Sequence, residues 1–531
     1  MKFFKNISSK KELVLILIFF GCETDNVVYN SSKNEIVINE KTIVINPFNN
    51  APLTALIRVG HDNLFPANVE KINITILGKK DGIDIVGEMH PKTENFKRQF
   101  FDITEDKKHA NKFISRLDSV EIPILGLYPN YNNQILFNIE TSSNIYSGEA
   151  TLQTGELPDK TLSIIIDKVQ TKDMEPGEVT WITFDQYNFD FMFDSTGEIR
   201  WIIDARGNSD LRILKNGNLL IKPWRHASHL SEYTFLGEEI YVWNINKNYK
   251  NHHDLYEMPS GNFLLPVDKL TLRQEGYKTW EDCLIEINRT TNEIINSWDL
   301  FKLMDIKNLP LVWNGSQPGD WFHMNSVWYD EPKDEIIVSG KYGGVLKLSR
   351  NGENGEIDNL NKDLIWFMPS FNHYEFYSKH EATKNFISKS VDLLDNIHLN
   401  QGLNFEDFHW PGNQHNPVII PSNDNFLHFL IFNNVNTPNR SAIVEYAINE
   451  EKNIVKEVWE YGKDRADIYA SAWSGSTWLP HTNNRMSIPA NRFNPKTEVN
   501  INKEIVFEFR INSDVDLKAY RSGRTNLYPT N

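Results

Sequence analysis

The sequence has little cysteine, no hydrophobic run long enough to span a bilayer and no surplus of positive charge. Cys22 and Cys283 are the two cysteines among 531 residues. If Cys22 is modified as described below, no internal disulfide can form, and stability must come from packing. The net charge of -16 argues against a general nucleic-acid binder, whose phosphate contacts require a basic face. A site for an anion must therefore be a local island of positive charge.

The first residues indicate a targeting segment over residues 1–22. Four lysines precede an apolar run at 13–20, which is too short to cross a bilayer. The run ends at Gly21-Cys22, as in a lipoprotein signal whose cysteine is acylated. Phe19 stands where leucine is usual, so an ordinary signal peptide or an unprocessed start are the alternatives. We expect a protein of the bacterial cell envelope, either periplasmic or attached to a membrane by a lipid on Cys22.

Residues 23–160 alternate apolar and polar side chains in short runs. Such runs occur at 42–45, 72–77 and 135–139, and Asn, Gly and Pro turns separate them. This rhythm is typical of a β-sandwich, and we predict an immunoglobulin-like sandwich domain here. A charged stretch at 105–117 is a helix or a loop.

An imperfect repeat begins near residue 161. One strand ends in tryptophan and another opens with Gly-Asn, as at Trp201 and Gly217 and again at Trp243 and Gly261. Further copies of the first strand end at Trp298, Trp366 and Trp459. Repeats of a few short strands indicate propeller blades, and we predict a six-bladed β-propeller over 161–531 in an all-β protein. The longest insertion lies at 371–407, where 382–394 has a helical pattern.

Four segments concentrate unusual polar residues beside strand patterns. They are the segments 251–254 (Asn-His-His-Asp), 320–326 (Asp-Trp-Phe-His-Met-Asn-Ser), 339–342 (Ser-Gly-Lys-Tyr) and 412–417 (Gly-Asn-Gln-His-Asn-Pro). In a propeller, segments that are distant in sequence converge at the central channel. Three histidines, an asparagine and a lysine would form a cationic pocket there.

These segments, together with 126–133 and 520–524, resemble the bacterial aryl-sulfate sulfotransferase family. The His-x-Asn-Ser at 323–326 and the Gln-His at 414–415 carry most of the resemblance. It implies that His415 is the nucleophile, and that His323 and Asn325 hold the sulfuryl group with His253 in the same pocket. It also implies a homodimer. Lys341 stands where the family usually has arginine, which grips an oxyanion through a bidentate fork that lysine lacks.

The expected chemistry follows from the properties of imidazole. Neutral histidine is a competent nucleophile near neutral pH. Attack on an aryl sulfate would release a phenol and leave a sulfo-histidine, from which a second phenol takes the group. No Gly-x-x-x-x-Gly-Lys-Ser/Thr loop occurs, which fits a reaction without a nucleotide sulfate donor or other cofactor.

We assign His415, His323 and His253 to catalysis, with His253 as acid and base for the phenols. Asn325, Lys341 and His252 are assigned to substrate binding, and no residue to a metal.

Three alternatives remain open. His252 and His253 cannot both face the pocket if they lie on a strand, because side chains alternate. The tryptophans beside the polar segments, Trp321 and Trp410, are either core residues or a platform for an aryl ring. A propeller that binds a carbohydrate or peptide without turnover, and a metal enzyme with His253, His323 and His415 as ligands, are the competing functions.

Overall fold

The computed structural model is all-β, as predicted. It describes residues 29–30, 35–36, 43–60, 68–90, 119–185, 187–204, 209–223, 228–245, 247–270, 278–304, 319–350, 364–370, 410–437, 440–451 and 454–528. The targeting segment at 1–22, the stretch at 105–117 and the insertion at 371–407 lie outside these residues. No helix of the described ranges has the length and hydrophobicity needed to cross a membrane.

The amino-terminal strands form two sheets. In chain order they are β1 (Tyr29–Asn30), β2 (Glu35–Ile36), β3 (Ile43–Ile45), β4 (Thr54–Gly60), β5 (Val69–Ile76), β6 (Ile85–Met89), β7 (Ser119–Leu125), β8 (Asn132–Thr141) and β9 (Ile145–Gln153). One sheet has the order β1-β2-β9-β8-β5-β6 and the other β3-β4-β7. Alternate residues of β5, including Ile72, Ile74 and Ile76, are buried, as expected for strands with one face on a core. The immunoglobulin-like topology stays a prediction.

The remaining strands form six sheets. They are β10 (Ser163–Val169), β11 (Val179–Asp185), β12 (Phe189–Asp194), β13 (Ile199–Asp204), β14 (Ser209–Ile213), β15 (Leu219–Pro223), β16 (His229–Tyr233), β17 (Glu239–Asn244), β18 (Tyr249–Asn251), β19 (Tyr256–Glu257), β20 (Phe263–Lys269), β21 (Cys283–Ile287), β22 (Ile294–Asp299), β23 (Met324–Asp330), β24 (Glu335–Gly340), β25 (Gly344–Ser349), β26 (Leu364–Pro369), β27 (His415–Ile420), β28 (Leu427–Thr437), β29 (Arg440–Asn449), β30 (Ile454–Tyr461), β31 (Gly475–Leu479), β32 (Asn484–Ile488), β33 (Lys496–Val499), β34 (Ile505–Asn512) and β35 (Lys518–Thr525). The described helices are α1 (Leu300–Leu303) and two 3-10 turns, Glu331–Lys333 and Ala466–Ile468.

All six sheets are antiparallel, and most follow the chain in order. Their strand orders are β13-β12-β11-β35, β14-β15-β16-β17, β18-β20-β21-β22 with β19 also on β20, β23-β24-β25-β26, β27-β28-β29-β30 and β10-β34-β33-β32-β31. Two pairings break the sequence order: β35 pairs with β11, and β34 pairs with β10. The end of the chain is therefore tied to the start of this region.

The tryptophans of the repeat lie on the outer strand of five sheets, namely β13, β17, β22, β26 and β30. Four of them donate an indole N–H to a turn of the following sheet. These bonds run from Trp201 to the carbonyl of Phe235, from Trp243 to that of Arg289, from Trp366 to the Glu450 carboxylate and from Trp459 to the carbonyl of Ile501. In these four copies the repeated tryptophan therefore links one sheet to the next, which explains its spacing.

The amino-terminal sheets share a hydrophobic core with the rest of the chain. One cluster includes Ile57 of β4, Ile74 of β5 and Phe193 of β12. Arg200 of β13 crosses the boundary, donates to the carbonyls of Ile83 and Gly126 at 2.9 Å each, and forms a buried pair with Asp194. The segment 126–133, noted for its family resemblance, therefore contacts the six-sheet region.

Candidate active site

The imidazole of His415 is buried at the start of β27, with 2% of the residue exposed. Its Nδ1 lies 2.7 Å from Oδ1 of Asn434 and 2.9 Å from the backbone oxygen of Asn413. A carbonyl oxygen can only accept, so Nδ1 carries the proton and the neutral ring has its lone pair at Nε2. Burial, aided by the charges of Lys341 and His323, lowers the pKa of His415 to about 3. The ring is therefore neutral, and nucleophilic at Nε2, over the physiological range.

Hydrogen bonds of Gln414, the residue before His415, connect His415 to the segments that carry Asn325 and Lys341. The Asn325 side chain of β23 donates to the Gln414 carbonyl at 2.7 Å, and Gln414 donates to the carbonyl of Gly340 at 2.8 Å. Gly340 precedes Lys341, whose backbone N–H donates to the carbonyl of His323 at 2.9 Å. The Lys341 ammonium is 5.0 Å from the ring centre of Tyr342 and forms no ion pair with another described residue. A free cation thus lies close enough to influence His415.

His323 is held between two carboxylates. Its Nδ1 is 2.7 Å from Oδ2 of Asp320 and 2.8 Å from Oε2 of Glu281. Burial alone would lower the pKa of His323, but Glu281 and Asp320 raise it to about 10. His323 is therefore an imidazolium at neutral pH, with a second N–H at Nε2. The pocket gains a second fixed cation.

His253 extends the same chain of contacts. Its Nε2 is 3.1 Å from Oε2 of Glu281, and its ring centre is 5.0 Å from that of His323. Burial lowers the pKa of His253 well below its usual value, against the opposing charge of Glu281. Glu281 therefore connects one neutral and one charged histidine.

The His252 ring contacts the His253 ring. The two ring centres are 5.3 Å apart, and neither ring nitrogen of His252 has a hydrogen-bond partner among the described residues. Strand β18 ends at Asn251, so the expected alternation of side chains does not apply to this pair. Of the two, His253 makes the ring contact with His323 and the bond to Glu281.

Several of these residues adopt the left-handed backbone conformation that favours glycine. The φ angles are 48° at His253, 56° at His323, 50° at Asn413 and 58° at Asn416. Such a conformation costs a non-glycine residue about 1–3 kcal/mol and persists only where surrounding contacts impose it. Strain concentrated on the turns that carry the histidines is typical of a functional site.

A buried ionic network supports the histidine turns. The Asp254 carboxylate accepts from the Ser326 hydroxyl and the Val327 N–H at 2.8 Å each, which ties the 252–254 turn to β23. Its other oxygen lies 2.8 Å from Nη2 of Arg521. Arg521 in turn donates to the side chain of Asn416, the residue after His415. Asp254 and Arg521 are therefore scaffold residues that connect three parts of the pocket.

Two groups in this region combine the residue types that bind metal ions: His252, His253 and Glu281, and Glu281, Asp320 and His323. Within each group the ligand atoms lie within 4.8 Å of one another. The closest nitrogen-to-oxygen distances are 2.7–3.1 Å, which is hydrogen-bond length. Two ligands of one tetrahedral zinc, each about 2.0–2.1 Å from the ion, would stand further apart than the closest of these pairs. Hydrogen bonding therefore describes this arrangement better than metal coordination.

Comparison with known proteins places the chain in a family. A sequence model of the family described as Arylsulfotransferase (ASST) matches residues 94–521. The chain belongs to the arylsulfotransferase family. Two relatives, both named arylsulfate sulfotransferase AssT, come from Escherichia coli and Lelliottia amnigena. Each is 24% identical to this chain, and the aligned region covers 81% of this chain and 81% of the relative. The expected family membership is confirmed.

Within this family member, contacts link the predicted catalytic and binding residues, and their roles stay predictions. Sequence patterns did not assign roles to Glu281, Asp320 or Asn434. Asp320 stands three residues before His323, a spacing that could have drawn attention to it, whereas Glu281 and Asn434 belong to no motif. Both Trp321 and Trp410 are fully buried and donate to Asp282 and the Pro369 carbonyl, so they are core residues and no aryl platform.

Proposed function

We propose that the chain transfers a sulfuryl group from a phenolic sulfate ester to a phenol through a sulfo-histidine at Nε2 of His415. The observation that carries this proposal is the combination of a buried neutral imidazole with an available Nε2 and two cations, Lys341 and the His323 imidazolium, within electrostatic reach. The family membership and the names of both relatives support the aryl sulfate as donor.

The reaction has two balanced steps. In the first, Nε2 of His415 forms a bond to sulfur while the bond from sulfur to the aryl oxygen breaks, and the phenolate takes a proton from the His323 imidazolium, the protonated end of its chain with Glu281 and His253. In the second, an acceptor phenol returns a proton to that chain, its oxygen bonds to sulfur and the N–S bond breaks. Lys341 and Asn325 stabilise the equatorial oxygens during both transfers, and His323 does so while it carries both of its ring protons.

The architecture proposed for this chemistry is a six-bladed propeller. The six antiparallel sheets, the pairing of β35 with β11 and the contacts of β23 with β27, β27 with β31 and β31 with β35 support a closed ring. In such a ring the innermost strands surround a central channel. The site residues are on or beside β18, β23, β24 and β27, as expected for a site at that channel.

The decisive experiment uses para-nitrophenyl sulfate as donor and phenol as acceptor. We expect nitrophenol release that requires the acceptor, and a donor-dependent mass increase on the peptide containing His415 after a rapid quench. His415→Asn should abolish both signals. Release that persists unchanged in His415→Asn would overturn the proposal, and release without an acceptor would indicate a sulfatase. A module that only binds its ligand would show no mass increase.

Location and assembly are also proposals. We propose that residues 1–22 direct the chain to the cell envelope and that Cys22 is lipid-modified. A Cys22→Ser variant tests this: it should no longer incorporate radiolabelled fatty acid, and it should be released from membranes.

We also propose that the protein is a homodimer, as its resemblance to the family implies. Light scattering coupled to size-exclusion chromatography would show twice the chain mass, and a single chain mass would contradict it.

A further inference from the structure

The His415 ring receives a contact from a residue outside its own turn. Asn434 lies on β28, whose register with β27 places Phe432 opposite His415. The Oδ1 atom of Asn434 is 2.7 Å from Nδ1 of His415, and both residues are buried. The second acceptor at Nδ1, the Asn413 carbonyl, belongs to the same turn as His415. Asn434 therefore fixes the ring to the neighbouring strand.

The orientation of the Asn434 amide is determined by the protein backbone. Its Nδ2 donates to the carbonyl of Ala470 at 2.8 Å and to the carbonyl of Trp473 at 3.1 Å. A rotated amide would bring Oδ1 against these two carbonyl oxygens and Nδ2 against the Nδ1 proton of His415. Both exchanges lose hydrogen bonds in a buried site, where an unpaired polar group costs about 1–3 kcal/mol. Oδ1 must therefore face His415.

The loop that supplies these carbonyls is itself anchored. Trp473 and Ser474 have φ angles of 55° and 78°, and the Ser474 hydroxyl accepts from the N–H of Ala490 at 3.0 Å. The Ser441 hydroxyl donates to the backbone oxygen of Asn434 at 2.8 Å and accepts from the N–H of Ala470 at 3.0 Å. Loop and asparagine thus form one rigid support.

We infer that Asn434 is the positioning residue of the nucleophile, keeping the proton on Nδ1 of His415 and directing Nε2 toward the sulfur. This inference rests on the proposed function. As the N–S bond forms, the ring gains positive charge and Nδ1–H becomes a stronger donor, so the bond to Asn434 strengthens in the transition state. Asn434 stabilises the sulfo-imidazolium without touching the substrate.

Two Asn434 variants and a matched control test the role. Asn434→Leu keeps the approximate shape but removes the acceptor, and single-turnover release of nitrophenol should slow about ten- to hundredfold, the loss expected when the orienting partner of a functional histidine is removed. Asn434→Asp keeps an acceptor and should recover most of that rate at alkaline pH. The control is Asn484→Leu, which makes the same substitution at a buried asparagine of β32 that donates to the Asp173 carbonyl and the Glu498 carboxylate, so it should lower the Tm and leave the single-turnover rate unchanged.

The pH profile separates positioning from mere structural support. A carboxylate beside Nδ1 favours the imidazolium, so the acid limb of sulfurylation should move to higher pH in Asn434→Asp. The other groups facing His415 are Lys341, the His323 imidazolium and the Tyr520 ring, whose centre is 6.2 Å away, and the variant changes none of them.

Four outcomes decide the inference. An unshifted acid limb in Asn434→Asp, a wild-type rate in Asn434→Leu, or equal slowing in Asn484→Leu would each overturn it while leaving the proposed function intact. Absence of the His415 adduct in the wild-type protein would instead overturn the proposed function and this inference together.

Discussion

Oε2 of Glu281 lies 2.8 Å from Nδ1 of His323. This contact, reinforced by Asp320, keeps a buried histidine protonated at neutral pH. In a chain with a net charge of -16, the proposed anion site contains an imidazolium that two carboxylates hold in place. Both carboxylates contact Nδ1 of that ring.

Removing the charge of Glu281 should weaken the site above neutral pH. The pKa of His323 is raised to about 10, so the imidazolium persists below that pH and is lost as pH rises through it. In Glu281→Gln that pKa falls toward its usual value, and kcat/KM at about pH 8 should drop roughly tenfold because most of the ring becomes neutral. Measured pH profiles should show the alkaline limb at lower pH.

A matched control is Glu286→Gln, which removes another fully buried carboxylate, one that pairs with Arg350 at 3.0 Å. It should lower the Tm without moving the alkaline limb. An unmoved limb in Glu281→Gln would refute the assignment of His323 as a charged group of the site.

The cation at position 341 should be replaceable by a better one. Lys341→Arg offers a planar fork to the sulfuryl oxygens, and one added charge-assisted hydrogen bond of about 1.5 kcal/mol corresponds to roughly tenfold in kcat/KM. Lys341→Met should reduce kcat/KM by about 100- to 1,000-fold, as for a lost oxyanion donor. Lys71→Met, in the first sheet, is the control. Equal activity of Lys341→Met and the wild type would show that Lys341 does not take part in the site.

The turn that carries Lys341 depends on a glycine. A Cβ on Gly343 would lie 2.0 and 2.1 Å from two ring carbons of buried Phe322, so either the ring or the turn must move. Gly343→Ala should destabilise the protein by about 1–3 kcal/mol and lower kcat/KM, as followed by urea unfolding and initial rates. At Gly155 an added Cβ meets nothing within 4 Å, and Gly155→Ala should change neither quantity. A silent Gly343→Ala would show that the turn adapts.

Asp254 should make stability depend on pH in acid. Although burial opposes ionisation, Arg521 and Arg212 lower the pKa of Asp254 from 3.8 to about 2. Its contribution is therefore complete above the unfolded value and is lost as pH falls through about 2. Asp254→Asn removes the carboxylate 2.8 Å from Arg521 and leaves it the more distant Asp210, at 3.5 Å, so it should cost up to about 3–5 kcal/mol at neutral pH, measured by urea unfolding.

The Asp254 variant should also lose the part of the acid dependence that this carboxylate supplies. Asp167→Asn removes an exposed partner of Arg510 and should cost less than about 1 kcal/mol. Similar losses in the two variants would contradict the scaffold role of Asp254.

Chelation should leave the enzyme active. The carboxylate of Glu281 is within hydrogen-bond distance of ring nitrogens of His253 and His323, so these atoms bind each other and not a metal ion. Extensive dialysis against EDTA should therefore change neither kcat/KM nor Tm, and elemental analysis should find no stoichiometric zinc. Activity that disappears with EDTA and returns with zinc would favour a metal centre built on these residues.

Local patterns predicted the parts of this protein that depend on neighbours in sequence. Alternating runs and turn residues indicated an all-β chain, because side-chain alternation is a property of a single strand. The spacing of Trp201, Trp243 and Trp366 indicated a repeat, and each of these three indoles donates to a turn of the following sheet. The motifs around His323 and His415 indicated the family.

Tertiary structure alone decided how the histidines differ. His415 and His323 both lie in polar turn motifs of the sequence. In the structure, burial keeps His415 neutral, whereas two neighbouring carboxylates keep His323 protonated. Glu281 and Asn434 are 42 and 19 positions from the histidines they contact, so no local pattern predicts those contacts. The order of residues supplies the side chains, whereas the packing of separate sheets around one buried site sets their protonation, because electrostatic energy depends on distance in space.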